Sequence, residues 1–383
     1  MKVVIAMDSF KGSLTSLEAG NAVREGILSI CDADIILKPL ADGGEGTVNA
    51  LVHGMNGIIK EVTVTGPLHE KTVCEYGQLP MTNTAIIEMS AAAGLTLVAQ
   101  PLRNPLNTTT FGVGELIKDA ISDGYHKFII GIGGSVTNDC GIGMLTALGF
   151  EFLDKNHTPV GVCGSSLSSI EYINTENILP QLKECTFQIA CDVKNPLYGP
   201  SGAAFVYGPQ KGASPEIVEI LDQGLRHFSG KVTSIFGKDY SGIPGTGAAG
   251  GLGYGFLTFL NSSLESGIDI ILRETDLEKD MAGAAFVITG EGMLDGQSAM
   301  GKATVGIAKM AKRQGAIVIA ITGSTGTGAE KCNNAGIDAY FDIINTAMTL
   351  EQAMAGETAS INLTQTTAQI FRLIKTITSS FPL

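Results

Sequence analysis

Charge is sparse in this sequence: 16% of its 383 residues are Asp, Glu, Lys or Arg, and 25 Lys and Arg face 38 Asp and Glu. The formal net charge of -13 argues against nucleic acid as a partner, because that binding draws its affinity from basic side chains neutralising phosphates. Small anions can still bind at local sites. The seven cysteines, Cys31, Cys74, Cys140, Cys163, Cys185, Cys191 and Cys332, form no CxxC pair and no Cys/His cluster, which speaks against a disulfide framework or a zinc site. No apolar run approaches the ~18 residues of a membrane helix, and the N-terminal run is too short for a signal peptide. These absences read as a cytoplasmic chain with no membrane partner. The five histidines are scattered outside the glycine loops, which disfavours a histidine-based nucleophilic triad. Internal repeats, low-complexity linkers and charge blocks are also missing, so texture alone marks the domain joints.

What is present points to a buried core. The apolar fraction of 44% excludes disorder, and the length suits two domains better than one. The 49 glycines gather at the ends of apolar runs, where backbone turns sharply or approaches a ligand closely.

The opening alternates strand and helix. A β-rich run spans 3–6, a helix spans about 16–30 behind Thr15 and Glu18 in capping-box spacing, a buried strand spans 35–37, and a helix starts at Thr47. From Val62 the runs 62–65 and 72–76 flank Gly66-Pro67 as a hairpin, with another strand near Ile86. Helix and parallel-strand texture returns at 111–121 and 128–131; strand-rich texture dominates 151–207. The last third reads as a strand at 285–288, a helix at 303–313, a strand at 317–321 and a helix near 367–376. The expectation is an α/β protein: a Rossmann-like parallel-sheet domain (1–60 with 105–150 and 265–383) carrying an inserted mixed-sheet α/β domain (61–104 with 151–264).

Several loops can carry chemistry. Strand one runs into Asp8-Ser9-Phe10-Lys11-Gly12, at a strand's carboxyl end, where open α/β sheets bind ligands. There Lys11 can hold a phosphate or carboxylate, or be a solvated lysine after a turn. Asp42-Gly43-Gly44-Glu45-Gly46 places two carboxylates before a helix, suited to Mg²⁺, to a substrate hydroxyl or to capping. In Gly131-Ile132-Gly133-Gly134-Ser135-Val136-Thr137-Asn138-Asp139 a buried strand ends in glycines and polar groups whose N–H groups can wrap an oxyanion. Val136 breaks the dinucleotide fingerprint there. Asp192, ahead of Asn195-Pro196, can hold a metal, activate a hydroxyl or simply serve a turn, with Lys211 downstream. Gly245 to Gly253 suggests close approach to a nucleotide, or a hinge. Gly296 to Lys302 matches most of a Walker A loop, but Ala303 replaces the Mg²⁺-binding hydroxyl, leaving Lys302 as a phosphate contact.

Taken in order, DSFKGSLTS, PLADGGEGT, IIEMSAAAGL, GIGGSVTND, CDVKNPLYG with PQKGA, GTGAAGGLG and GEGMLDGQSAMGK resemble the type I glycerate kinases of bacteria over about residues 3–325. Val136 and Cys140 stand where Ala and Gly are expected, and Met293 where Arg is common. The resemblance implies ATP-dependent phosphorylation of D-glycerate, usually to 2-phosphoglycerate, by direct phosphoryl transfer in a cleft between two different α/β domains. It implies catalytic roles for Asp192, Lys11 and Lys302. Substrate contacts would fall to Ser9, Asp42, Gly133, Gly134, Ser135, Asn138, Asp139 and Asp295, and nucleotide contacts to Gly247, Gly250, Gly251, Glu291 and Lys211. Mg²⁺ would be held by Asp192, Asp42 or Glu45. Phosphoryl transfer asks mainly for positioning and cations, so no covalent nucleophile is required. A homodimer is compatible with the sequence. The rival readings are a nucleotide-dependent oxidoreductase, which lacks G-x-G-x-x-G after strand one, and a non-enzymatic small-acid sensor.

Overall fold

The structure, a computed structural model, describes residues 1–41, 46–300 and 303–380. Its strands in chain order are β1 (Lys2–Met7), β2 (Asp34–Leu37), β3 (Ile58–Thr65), β4 (Lys71–Leu79), β5 (Thr84–Glu88), β6 (Lys127–Gly131), β7 (Glu151–Leu153), β8 (Tyr172–Asn174), β9 (Thr186–Ala190), β10 (Ser262–Glu265), β11 (Phe286–Gly290), β12 (Met293–Leu294), β13 (Ile317–Thr322), β14 (Ser324–Thr325) and β15 (Ala339–Asp342). The chain divides into two compact units, one of Met1–Asp42, Asn49–Asn56 and Ile268–Leu383, the other of Gly43–Val48 and Gly57–Gly267.

The first unit holds a five-stranded sheet in the order β15-β13-β11-β1-β2, parallel throughout. Its central strands are nearly continuous apolar runs, KVVIAM, FVITG and IVIAIT, as a sheet covered on both faces requires. The helix Ser16–Leu28 begins with the expected capping box, in which Thr15 Oγ1 accepts from the Glu18 N–H and the Glu18 carboxylate accepts from the Thr15 N–H. It buries Ala19, Ala22, Val23 and Ile27, the spacing of one helical face. It crosses the helix Gly356–Ser380 closely: a Cβ on Gly26 would lie 2.6 Å from the Thr364 carbonyl oxygen.

The second unit holds a six-stranded sheet in the order β10-β9-β6-β5-β4-β3. The β3–β4 hairpin turns at Gly66-Pro67 with Thr65 opposite Lys71, and β4 meets β5 antiparallel; the other pairs are parallel. One sequence expectation needs correction. The segment 105–150 does not join the first sheet, because its strand β6 lies between β5 and β9, and the helix Phe111–Ser122 packs its Val113, Leu116 and Ile117 into the second unit's core. An apolar run such as KFIIG declares itself buried and parallel but does not say in which sheet. The strand-rich texture of 151–207 resolves into the small antiparallel pair β7–β8, short 3₁₀ turns, β9 and the helix Ala203–Tyr207. A long helix, Pro215–Phe236, follows; Ser214 caps it, Pro215 occupies its first turn, and it buries Val218, Leu221, Leu225, Phe228 and Val232. Among the described residues, no helix is long and apolar enough to cross a membrane.

Candidate active site

In the second unit the parallel strands end in register. Glu88 of β5 pairs with Gly131 of β6, Gly131 with Ala190 of β9, and Ala190 with Glu265 of β10, so the chain leaves all four strands along one edge. The carboxyl edge of parallel strands is where α/β folds bind ligands, because side chains and helix N-termini converge there. Beyond it lie Gly133, Gly134, Ser135 and Asn138 after β6, and Asp192 after β9. Asp192 is exposed, and its carboxylate accepts from the Gly267 N–H at 3.2 Å. Glu88, which the sequence reading passed over, stands in the same row and accepts from the Val48 N–H at 2.8 Å. Its signal was visible: an acid closing the apolar run TAII, as Asp192 closes FQIAC.

The turn after β6 is fixed by main-chain bonds to the short helix Ser90–Ala93 and its exit. The Leu95 N–H donates to Gly134 O at 2.8 Å and the Val136 N–H to Ala93 O at 3.0 Å. Gly134 takes φ +73, a left-handed conformation that a side chain would strain. Ser135, Thr137, Asn138 and Asp139 are all buried. Neither side-chain atom of Asn138, nor Thr137 Oγ1, finds a hydrogen-bond partner among the described residues. Each such orphan costs about 1–3 kcal/mol, so a turn carrying three has a reason beyond stability.

Asp139 is committed to the protein. Its carboxylate accepts from Thr110 N and Oγ1 at 2.8 and 2.7 Å, from Gly141 N at 3.2 Å and from Gly143 N at 3.3 Å. These donors open the helices Phe111–Ser122 and Ile142–Ala147, whose N-termini favour an anion. Burial pushes the carboxyl's pKa up, and the four hydrogen bonds oppose that. Lys211, expected beside the nucleotide, is 1% exposed and donates to Ser135 Oγ and Thr137 O, each at 2.7 Å. Burial brings its pKa down to about 7, against the pull of Asp139.

The glycine run after 245 packs closely against protein main chain. Ala249, Gly250 and Gly251 take successive left-handed conformations inside the kinked helix Ala248–Phe259. A Cβ on Gly250 would lie 2.1 Å from Thr137 O, one on Gly251 2.9 Å from Cys140 Sγ, and one on Gly247 2.1 Å from Pro196 O. The close approach that glycine permits is therefore to the 137–140 and 195–196 main chains.

In the first unit a second set of loops leaves the carboxyl ends of β1 and β11. Gly292 brings them together, since a Cβ there would sit 3.4 Å from Phe10 Cα and 3.5 Å from Lys11 N. Lys11 is exposed and Ser9 half-buried, and the Ser9 N–H donates to Asp8 Oδ1 at 2.7 Å. Glu291 is buried and accepts from Thr304 Oγ1 at 3.0 Å, at the start of the helix Ala303–Arg313. Asp295 folds its carboxylate back onto the Gln297 and Ser298 N–H groups. Asp42, Glu45 and Lys302 lie outside the described residues.

One parallel and one mixed α/β sheet, with polar loops at the strand ends, is an architecture that many small-molecule enzymes share. The sequence profile of the glycerate kinase family matches residues 3–375. A glycerate kinase of Bacillus subtilis (strain 168) is 44% identical over 382 residues, covering 100% of both chains. A glycerate 2-kinase of Escherichia coli (strain K12) is 43% identical, covering 93% of this chain and 94% of the relative. A crystal structure from Salmonella typhimurium LT2, provisionally named glycerate kinase 2, superposes with a TM-score of 0.89 at 42% identity, covering 98% of each chain. The chain belongs to the glycerate kinase family, and it is a kinase.

Proposed function

We propose that this chain transfers the terminal phosphoryl group of ATP to a hydroxyl of D-glycerate, giving 2-phosphoglycerate, as a cytoplasmic enzyme. The observation that carries the reading is the row of strand ends in the second unit, where Asp192 and the 133–138 turn leave one sheet edge in a chain of this family. The Escherichia coli relative's name supports the 2-phospho product.

In this reading Asp192 accepts the proton of the attacking hydroxyl, which its exposed place at the end of β9 permits. Ser135 and Asn138 bind the acid, with the N–H groups of Gly133 and Gly134 beside them. Asn138 suits that work because its carboxamide has one acceptor and two donors unused among the described residues. Lys11 offers an exposed cation to a phosphate, and Ser9, Asp295 and Glu291 belong to the same group of loops.

Mg²⁺ takes one or two carboxylates together with phosphate oxygens and water, rather than an all-protein cage. Asp192, with its exposed carboxylate, could supply one such ligand. When bound, the ion would neutralise charge on the transferred phosphate.

The decisive assay incubates the protein with ATP, Mg²⁺ and D-glycerate and identifies the phosphoglycerate isomer by phosphorus NMR. Asp192→Asn is expected to cut turnover by ~10²-fold or more, the scale of a lost acid/base group. Turnover within threefold of wild type would remove Asp192 from the mechanism.

A further inference from the structure

Lys211 is buried like a core residue yet bonded like a working one. It ends the 3₁₀ turn Pro209–Lys211, and the next residue, Gly212, takes φ +90 with its α-carbon against the Arg103 main chain, where a Cβ would come within 2.2 Å of Arg103 O. From there the side chain enters the interior and spends two donors on Ser135 Oγ and Thr137 O. A lysine in that position is expensive. An apolar side chain of similar length would avoid the desolvation of an amine, and replacing buried ionic groups by apolar ones is often neutral or stabilising. Stability alone therefore does not account for Lys211.

What it holds is informative. Ser135 and Thr137 belong to the turn whose Asn138 carboxamide and Thr137 hydroxyl are orphaned among the described residues. A segment carrying unmet hydrogen-bonding groups relaxes unless its surroundings over-determine it. The Lys211 bridge fixes it from one side and Asp139, through the two helix ends, from the other. A neutral amine carries two N–H groups, matching its two acceptors, and burial that brings the pKa to about 7 favours that form.

We infer that Lys211 is a positioning residue for the acid substrate: by bridging Ser135 and Thr137 it sets where the Ser135 hydroxyl and the Asn138 carboxamide stand, and it touches neither substrate nor nucleotide. This departs from the nucleotide contact expected from sequence, and it rests on the glycerate-phosphorylating reading above.

The test is steady-state kinetics of the full chain with D-glycerate and ATP varied in turn, for wild type, Lys211→Met, Ser135→Ala and the double variant. Lys211→Met is expected to lower kcat/KM for D-glycerate by ~10²-fold, the cost of misplacing a substrate contact by about an ångström, with KM for ATP within threefold of wild type. The double variant should be little worse than the worse single one, since both break the same bridge. If Lys211→Met does not fold, judged by circular dichroism, Lys211→Gln, which keeps side-chain N–H donors for the bridge, is expected to lower kcat/KM for D-glycerate with KM for ATP within threefold of wild type, and glycerate parameters within threefold of wild type for it would overturn the inference. A rise in KM for ATP with glycerate parameters unchanged would make Lys211 a nucleotide contact and overturn the inference. Both sets of parameters within threefold of wild type would overturn it too. Those outcomes leave an active wild-type enzyme, whereas a wild type that forms no phosphoglycerate overturns the functional reading itself.

Discussion

Lys211 and Asp139 bring a basic and an acidic side chain to the same buried turn after β6, and burial pushes the pKa of Lys211 down and that of Asp139 up. For Lys211 the sign of the pH dependence follows directly. Its pKa is about 7 in the fold against ~10.4 in an unfolded chain, so between those values the unfolded state binds more protons. Below pH 7 the cost of burying the ammonium is fully present; as pH rises toward 10 that cost disappears and stability increases, by at most about 1.4 kcal/mol per pH unit. Asp139, the charged group acting on it, opposes the shift. Thermal melts from pH 6.5 to 9.5 should therefore rise more for wild type than for Lys211→Met, and parallel curves would refute the buried titration. Asp139→Ala strands four donors at two helix ends and is expected to cost ~3–5 kcal/mol in chemical denaturation. Cys140, where the family resemblance led us to expect glycine, takes φ +54, a conformation that glycine adopts without strain.

Elements whose local chemistry decides their form were legible from sequence. Thr15 and Glu18 announced the first helix, and Gly66-Pro67 announced the β3–β4 hairpin. Illegible were the features set by long-range partners. β6 gave no sign of which sheet it would enter, and Lys211 read as a nucleotide contact because nothing local shows that the Ser135 that takes its hydrogen bond, 76 residues away, lies beside it. The polar turn after β6 was visible in residue types; that Asp139 serves helix ends, while Asn138 finds no partner among the described residues, needed coordinates. Glycine density in 245–253 was visible too; that Gly250 and Gly251 pack on 137–140 was not. Gly250→Ala tests this: its Cβ would meet Thr137 O at 2.1 Å with the backbone at φ +67, so the variant should lose ~3 kcal/mol or more in denaturant titration. A melt within 1 °C of wild type would mean that the kink is not tightly packed.

At the scale of the whole molecule, the described residues include a hydrophobic cluster confined to each unit. One is built around Phe128, Phe187 and Phe256 in the second unit, the other around Ile5, Ile288 and Phe371 in the first. Chains with separate cores depart from two-state unfolding. Calorimetry is expected to give a van't Hoff enthalpy clearly below the calorimetric one; equal values would show that the two cores melt as one.

The strand order of the first sheet bears on how the polypeptide is made. β1 leaves the ribosome early, but its neighbour β11 is synthesised some 280 residues later and β13 later still, while the second sheet is assembled entirely from 57–267. Emerging amino-end first, the nascent chain can finish its middle before its beginning. Apolar β1 must then wait unpaired on that side for most of translation, a window in which chaperone capture or misassociation would fall on the first strand rather than on the last.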